Sequence, residues 1–109
     1  MLKVAAIQLH ARPALRDKNI ENCVEIVKKA AKQGAELIVL PELWVSGYYL
    51  SKEQFQLLQE VLTGETVSLI QKLAEELSVI LIVPFVEGEN GNLYISLAVI
   101  ESNGEVIAT

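Results

Sequence analysis

Residues 34–43 read Gly-Ala-Glu-Leu-Ile-Val-Leu-Pro-Glu-Leu, and this segment is the most informative part of the sequence. Its four apolar residues, Leu37 to Leu40, predict a short buried β-strand. Pro41 cannot donate a hydrogen bond to a sheet, so it ends the strand and leaves Glu42 just past the strand's C-terminal end. Ligands bind at that edge of open α/β sheets. Glu42 is therefore a candidate general base, although its position alone also fits a solvated or capping loop residue.

The residues before this strand predict a strand–helix–strand unit. Lys3 to Leu9 is a largely apolar run, which we expect to form a central strand buried on both faces. An amphipathic helix follows, with Asp17 as its predicted N-cap and Gly34 just past its C-terminal end. The apolar stripe of this helix comprises Ile20, Cys23, Val24, Val27, Ala30 and Ala31.

The rest of the chain predicts further helices and strands. We expect a short helix over 52–62, with Ser51 as N-cap and Gln54 completing a capping box, and a second helix from Glu65 to Leu77. Strands are predicted over 79–86, 93–100 and 105–108, with turns over 87–92 and 102–104. This order predicts an α/β fold: a mixed β-sheet with helices on one face.

The composition indicates one globular domain and argues against several classes of protein. The chain has 109 residues, 51% of them hydrophobic and 21% charged, which suffices for one core. A net charge of −5 without a basic run provides no surface for nucleic acid. The sequence has no stretch of transmembrane length and no signal-peptide pattern, so no membrane contact is expected. The single cysteine excludes an internal disulfide and favours a cytoplasmic protein.

The order of motifs resembles the N-terminal part of the nitrilase superfamily, the carbon–nitrogen hydrolases. The resemblance rests on the opening stretch 4–9 (Val-Ala-Ala-Ile-Gln-Leu), on the strand–Pro–Glu segment followed by Ser46-Gly47-Tyr48, and on Glu87 with Leu93-Tyr94. The sequence departs from the family pattern at Ile95, where Asn is usual, and at Pro84, where Gly is usual. These two departures concern the packing of the third and fourth strands and leave Glu42 untouched.

This resemblance implies a Glu–Lys–Cys catalytic triad in which Glu42 is the glutamate. It implies hydrolysis of a small nitrile or amide at a non-peptide C–N bond, with no metal or organic cofactor. It also implies an α-β-β-α sandwich, of which residues 1–109, as a single and incomplete domain, would form the first half. In the family the lysine and cysteine lie downstream of the matching region. We therefore expect this chain to be inactive alone and to act as a homo-oligomer or with a complementing chain.

Hydrolysis of this kind needs a thiolate nucleophile, a base to take its proton and a cation to stabilise the oxyanion. Cys23 is the only thiol, but it lies on the apolar stripe of the first helix, where burial raises the pKa of a thiol. Lys52 is the lysine closest in sequence to Glu42, and it is more typical of a helix surface. The chain therefore contains the predicted base without an evident nucleophile.

Other candidate residues have two interpretations each. Trp44 and Tyr48 follow Glu42 and either contact substrate or pack the loop onto the sheet. His10 follows the first strand, so a Ser46–His10–Glu42 arrangement is conceivable, but Ser46-Gly47 lacks the nucleophile-elbow pattern.

Two further functions stay open at this point. The missing nucleophile suggests a non-catalytic α/β interaction module that pairs through an exposed strand edge. A nucleotide-binding domain would need a glycine-rich loop after the first strand, and residues 10–13, His-Ala-Arg-Pro, contain no glycine. We rank the nucleotide-binding interpretation last.

Overall fold

The computed structural model describes residues 2–13, 15–45, 47, 51–54, 64–89 and 91–109. The strands of this part are β1 (Val4–Ala6), β2 (Leu37–Val39), β3 (Ile80–Glu89), β4 (Asn92–Ile100) and β5 (Val106–Ala108). Its two long helices are α1 (Arg16–Lys32) and α2 (Glu65–Leu77). The predicted α/β class is confirmed, and the bounds of α2 are those expected from its apolar spacing.

The strands form one mixed sheet in the order β1-β2-β3-β4-β5. The first three strands are parallel, and β3, β4 and β5 form an antiparallel meander. The prediction that the first strand is central and buried on both faces is wrong, because among the described residues β1 pairs with β2 alone and Val4 is 56% exposed. An apolar run signals burial in general, but it does not specify the position of a strand within a sheet.

Both helices lie on the same face of the sheet, where they contact each other and share one core. The predicted stripe of α1 is confirmed, with Ile20, Cys23 and Val27 buried. The stripe of α2 is confirmed as well, with Val67, Ile70, Leu73 and Ala74 buried. The sheet contributes Ile38, Leu81, Val83, Ala98 and Ile100 to this core.

The start of α1 differs from the prediction. Leu15 occupies the N-cap position and makes no capping side-chain hydrogen bond, so the assignment of Asp17 as N-cap is wrong. Asp17 lies within the first turn instead, where its carboxylate still interacts favourably with the helix dipole. The end of the helix agrees with the prediction, because Gln33 is the C-cap and Gly34 follows with φ +97°.

The hairpin between β3 and β4 is tighter than predicted. The two strands remain paired as far as Glu89 and Asn92, so residues 90 and 91 alone connect them. The turn predicted over 87–92 is therefore too long, because the Asn-Gly pair by itself suffices for a two-residue connection. Gly91 has φ +78°, as such a turn requires.

The predicted capping box at residue 51 is confirmed. The Ser51 amide donates to Gln54 Oε1 at 2.9 Å, and the Gln54 amide donates to Ser51 Oγ at 3.2 Å. Residues 55–62 of the predicted helix lie outside the described residues. No helix in the described part of the chain combines the length and apolarity needed to cross a membrane.

The sheet face opposite the helices is apolar. On β3 and β4 it presents Ile80, Ile82, Pro84, Val86, Leu93, Ile95, Leu97 and Val99. Ile95 and Leu97 are 58% and 42% exposed, so nothing in the described chain covers this part of the face. The odd-numbered side chains Leu81, Val83 and Phe85 of β3 are buried on the helix side, whereas Ile80, Ile82 and Val86 on the opposite face are half-buried.

Candidate active site

Glu42 lies directly beyond the C-terminal end of β2. The Leu40 amide donates to the carbonyl of Ile82 at 3.0 Å, which is the last contact of this segment with β3 before Pro41. Residues 42–45 then form a turn, in which the side chain of Glu42 is exposed. The sequence therefore placed Glu42 correctly relative to the strand.

An open cleft of about 530 Å³ lies at this edge of the sheet. One wall comes from the end of β1 and the loop that follows it, and consists of Ile7, Gln8, Leu9, His10, Ala11 and Pro13. The other wall is formed by Pro41, Glu42 and Trp44. The fold thus brings Glu42 and His10 to one cavity although they are distant in sequence. The described residues that line it include neither a lysine nor a cysteine.

The turn that carries Glu42 has an unusual backbone. Leu43 has φ +51° although it is not glycine, and its side chain is buried. The Gly47 amide donates to the Leu43 carbonyl at 2.8 Å and closes the turn. A leucine in this left-handed conformation has backbone strain, because its Cβ atom disfavours positive φ. Contacts around Leu43 must compensate for that strain.

Trp44 supplies one of those contacts. Its side chain is fully buried, and the indole Nε1 donates to the carbonyl of Pro84 at 2.7 Å. Trp44 thus packs the turn onto β3, as one of its two interpretations predicted, and it also borders the cleft. A contact between Trp44 and substrate stays a prediction. Tyr48, the other predicted substrate-binding residue, and Ser46 lie outside the described residues.

The end of β2 explains how β3 tolerates a proline. The even-numbered residues of β3 direct their backbone polar groups towards β2: the Ile80 amide donates to Glu36 at 2.9 Å, and the Ile82 carbonyl accepts from Leu40. Pro84 is next in this series, at a level where β2 has already ended. Its missing amide therefore removes no ladder hydrogen bond, and its carbonyl accepts from Trp44 instead.

Sequence reasoning missed Asn19, which connects the two walls of the cleft. Its side chain is fully buried, and its Oδ1 accepts from the Arg12 amide at 2.8 Å. Its Nδ2 donates to the carbonyls of Arg12 at 2.8 Å and Val45 at 2.7 Å. The spacing of Asn19, Cys23 and Val27, four residues apart, is the signal that could have placed this amide on the buried stripe.

Cys23 does not line the cleft that contains Glu42. Its side chain is fully buried in the core beneath α1, and burial raises the pKa of its thiol from 9.0 to about 12. Such a thiol is protonated at neutral pH and behaves as a small apolar side chain, as predicted.

Comparison with known proteins identifies the family. The model of the carbon-nitrogen hydrolase family matches residues 3–109. The chain belongs to the carbon-nitrogen hydrolase family. A nitrilase of Pyrococcus abyssi is 34% identical over 106 residues, and an N-carbamoylputrescine amidase of Oryza sativa is 30% identical over 106 residues.

These carbon-nitrogen hydrolase relatives are longer than the chain. The alignments include 95% and 94% of this chain but only 40% and 35% of the Pyrococcus and Oryza proteins. Among solved structures, an amidase from Nesterenkonia sp. superposes with a TM-score of 0.76 at 24% identity, over 98% of this chain and 41% of that one. An N-terminal amidase superposes with a TM-score of 0.84, also at 24% identity, over 98% of this chain and 27% of that one. The structural likeness establishes the fold.

Proposed function

We propose that this chain is the N-terminal portion of a nitrilase- or amidase-type carbon–nitrogen hydrolase and that it supplies the general base, Glu42. The observation that carries the proposal is the placement of Glu42 past the end of β2, on one wall of the cleft. Membership in the carbon-nitrogen hydrolase family supports the same reaction class. Residues 1–109 would then be a single, incomplete domain of the enzyme.

In this proposal Glu42 acts on a cysteine from polypeptide beyond these 109 residues. The carboxylate takes the thiol proton, and the thiolate attacks the carbon of a nitrile or amide. A lysine ammonium stabilises the negative charge that develops during the attack. From an amide, the nitrogen takes the proton held by Glu42 and leaves as ammonia, which gives a thioester. From a nitrile, the attack gives a thioimidate, which adds one water before ammonia leaves and the same thioester remains. A further water then cleaves the thioester to give a carboxylic acid and the free thiol.

The described residues support an external source for the nucleophile. Cys23 is excluded from the role by its full burial and by a thiol pKa of about 12. A nearly apolar cleft wall with one carboxylate and one imidazole suits a small, uncharged substrate. The buried single cysteine also supports a cytoplasmic location, since it makes no disulfide.

Ammonia release tests this function in the full polypeptide that carries the sequence. A panel of small nitriles and amides is offered to the wild type, Glu42→Gln and Glu36→Gln. We expect Glu42→Gln to lower kcat by about 10²–10⁴-fold, the usual contribution of a general base. Glu36→Gln is the matched control, because Glu36 is also exposed but precedes β2 at the opposite end of the strand. Equal activities of the two variants would remove Glu42 from the mechanism.

The apolar sheet face supports a proposal about partners. We infer that a complementing layer of polypeptide covers the face that contains Ile95 and Leu97, either from the rest of the enzyme or from another chain. Exposed apolar surface of this kind marks an interaction site. The isolated chain should therefore self-associate, and a clean monomer at high concentration in light scattering would contradict this.

A second candidate function is a non-catalytic interaction module. The observation that favours it is the absence of lysine and cysteine from the described residues of the cleft, together with the uncovered sheet face. A full polypeptide without ammonia release that still forms a defined complex through β1 or β5 would support this function over the enzymatic one.

A further inference from the structure

The cleft is built from two segments with no regular hydrogen-bonded pairing between them. The β1 ladder with β2 ends at Ala6 and Val39, and one more bond follows, from the Ile7 amide to the Val39 carbonyl at 2.9 Å. Beyond that point the chain diverges into the loop that carries His10 and the turn that carries Glu42. Other contacts must fix the distance between them.

Asn19, on α1, forms hydrogen bonds with both segments. Two of its hydrogen bonds reach the backbone amide and carbonyl of Arg12, in the loop after β1. The third reaches the carbonyl of Val45, in the turn that carries Glu42. A single rigid side chain on α1 therefore joins both walls, and its own polar atoms are fully satisfied.

The fit around Gly47 shows how closely the two segments approach. A Cβ atom at Gly47 would lie 3.1 Å from the Cα of Pro13 and 3.2 Å from the carbonyl oxygen of Ala11. The Gly47 amide also donates to the Leu43 carbonyl. Gly47 therefore packs against the loop after β1 and also closes the turn that carries Glu42. The contact leaves little freedom for either segment to shift alone.

We propose that Asn19 is a positioning residue that holds the Glu42 turn against the loop after β1 and thereby sets the width of the cleft. The consequence for catalysis rests on the proposed function, because it requires Glu42 to be the base. The structural consequence is independent of that function: without the Asn19 amide, the turn that contains Leu43 loses the hydrogen bond from α1 to the Val45 carbonyl. Burial of a polar side chain is costly unless its hydrogen bonds are formed, and Asn19 forms all three of its hydrogen bonds with these two segments.

The test uses the full polypeptide as wild type, Asn19→Ala, Asn19→Asp and Val27→Ala. Asn19→Asp retains an acceptor for the Arg12 amide but cannot donate to Val45. Val27→Ala is the matched control, because Val27 is fully buried on the same helix and makes no polar contact with the cleft segments. Amide hydrogen exchange at residues 43–47 is compared with global stability for each variant.

We expect both Asn19 variants to accelerate exchange at residues 43–47 by about tenfold relative to Val27→Ala at matched global stability, the effect of one lost hydrogen bond. We also expect kcat for ammonia release to fall by about 10²-fold with KM nearly constant, because the base is misplaced and the substrate is still bound. Val27→Ala should retain the wild-type kcat.

The two proposals fail in different ways. Equal exchange at residues 43–47 in the Asn19 and Val27 variants would overturn the role of Asn19, whatever the activity. Absence of ammonia release from the wild type would overturn the proposed function, and the exchange rates would still decide whether Asn19 holds the turn. Faster exchange with an unchanged kcat would reduce Asn19 to a structural residue.

Discussion

The indole Nε1 of Trp44 donates to the backbone carbonyl of Pro84 at 2.7 Å, and this bond connects the turn after β2 to β3. It joins the candidate catalytic turn to Pro84, a residue of β3 that has no backbone amide hydrogen. If β2 extended further, the missing amide of Pro84 would remove a hydrogen bond between β2 and β3. Because β2 has ended, the Pro84 carbonyl is available to accept the hydrogen bond of the buried indole.

Trp44→Phe should destabilise the protein by at least about 1–3 kcal/mol, because the buried Pro84 carbonyl loses its hydrogen bond. Urea unfolding followed by circular dichroism measures the change. Tyr94→Phe is the control, because Tyr94 is 49% exposed and its substitution should leave the midpoint unchanged. Similar midpoints for both variants would mean that the indole bond contributes nothing to stability.

Gly47→Ala should destabilise the protein more than Gly91→Ala. The two glycines have φ values of +79° and +78°, so alanine pays a comparable backbone cost of about 1–2 kcal/mol at each. Nothing lies within 4 Å of a Cβ at Gly91, whereas a Cβ at Gly47 meets the backbone of residues 11–13. The difference between the two unfolding free energies therefore measures the close approach of the cleft walls, and a zero difference would show that they adjust freely.

Cys23 should make the stability fall at alkaline pH. Its thiol pKa is about 12 in the folded protein and 9.0 in the unfolded reference, so the folded state holds the proton more tightly. The stabilisation is complete below pH 9 and is lost between pH 9 and pH 12, at about 1.4 kcal/mol per pH unit. Urea unfolding across this range should show that slope in the wild type in excess of Cys23→Ala. Identical slopes would contradict the burial of the thiol.

The thiol should also be unreactive in the folded state. A thiol reagent at pH 8 should label Cys23 in urea but not in buffer, because its side chain is fully buried and protonated. Rapid labelling without denaturant would show that α1 opens from the sheet.

Substitution of the uncovered sheet face should reduce self-association of the 109-residue chain. Ile95→Glu and Leu97→Glu place charges on exposed residues of that face. Leu69→Glu is the matched control, since Leu69 is 39% exposed on α2. Light scattering should give a smaller mean mass for the sheet variants alone. An equal change in all three would mean that the sheet face has no special role.

Local sequence signals were sufficient to predict several elements of this fold. The spacing of apolar residues defined both helix stripes, Ser51 and Gln54 formed the expected capping box, and Pro41 placed Glu42 beyond its strand. These features depend on contacts within a few residues, so composition and periodicity suffice to predict them.

The edge position of β1 in the described sheet and the common cleft lined by Glu42 and His10 follow from the folded arrangement of the chain. The same holds for the hydrogen bonds from Asn19 to Val45 and from Trp44 to Pro84. Each depends on backbone groups that are distant in sequence and become neighbours only when the strands pair. A buried Asn or Trp signals that a polar partner is required, but the identity of that partner is fixed by the packing of helix, turn and sheet in three dimensions.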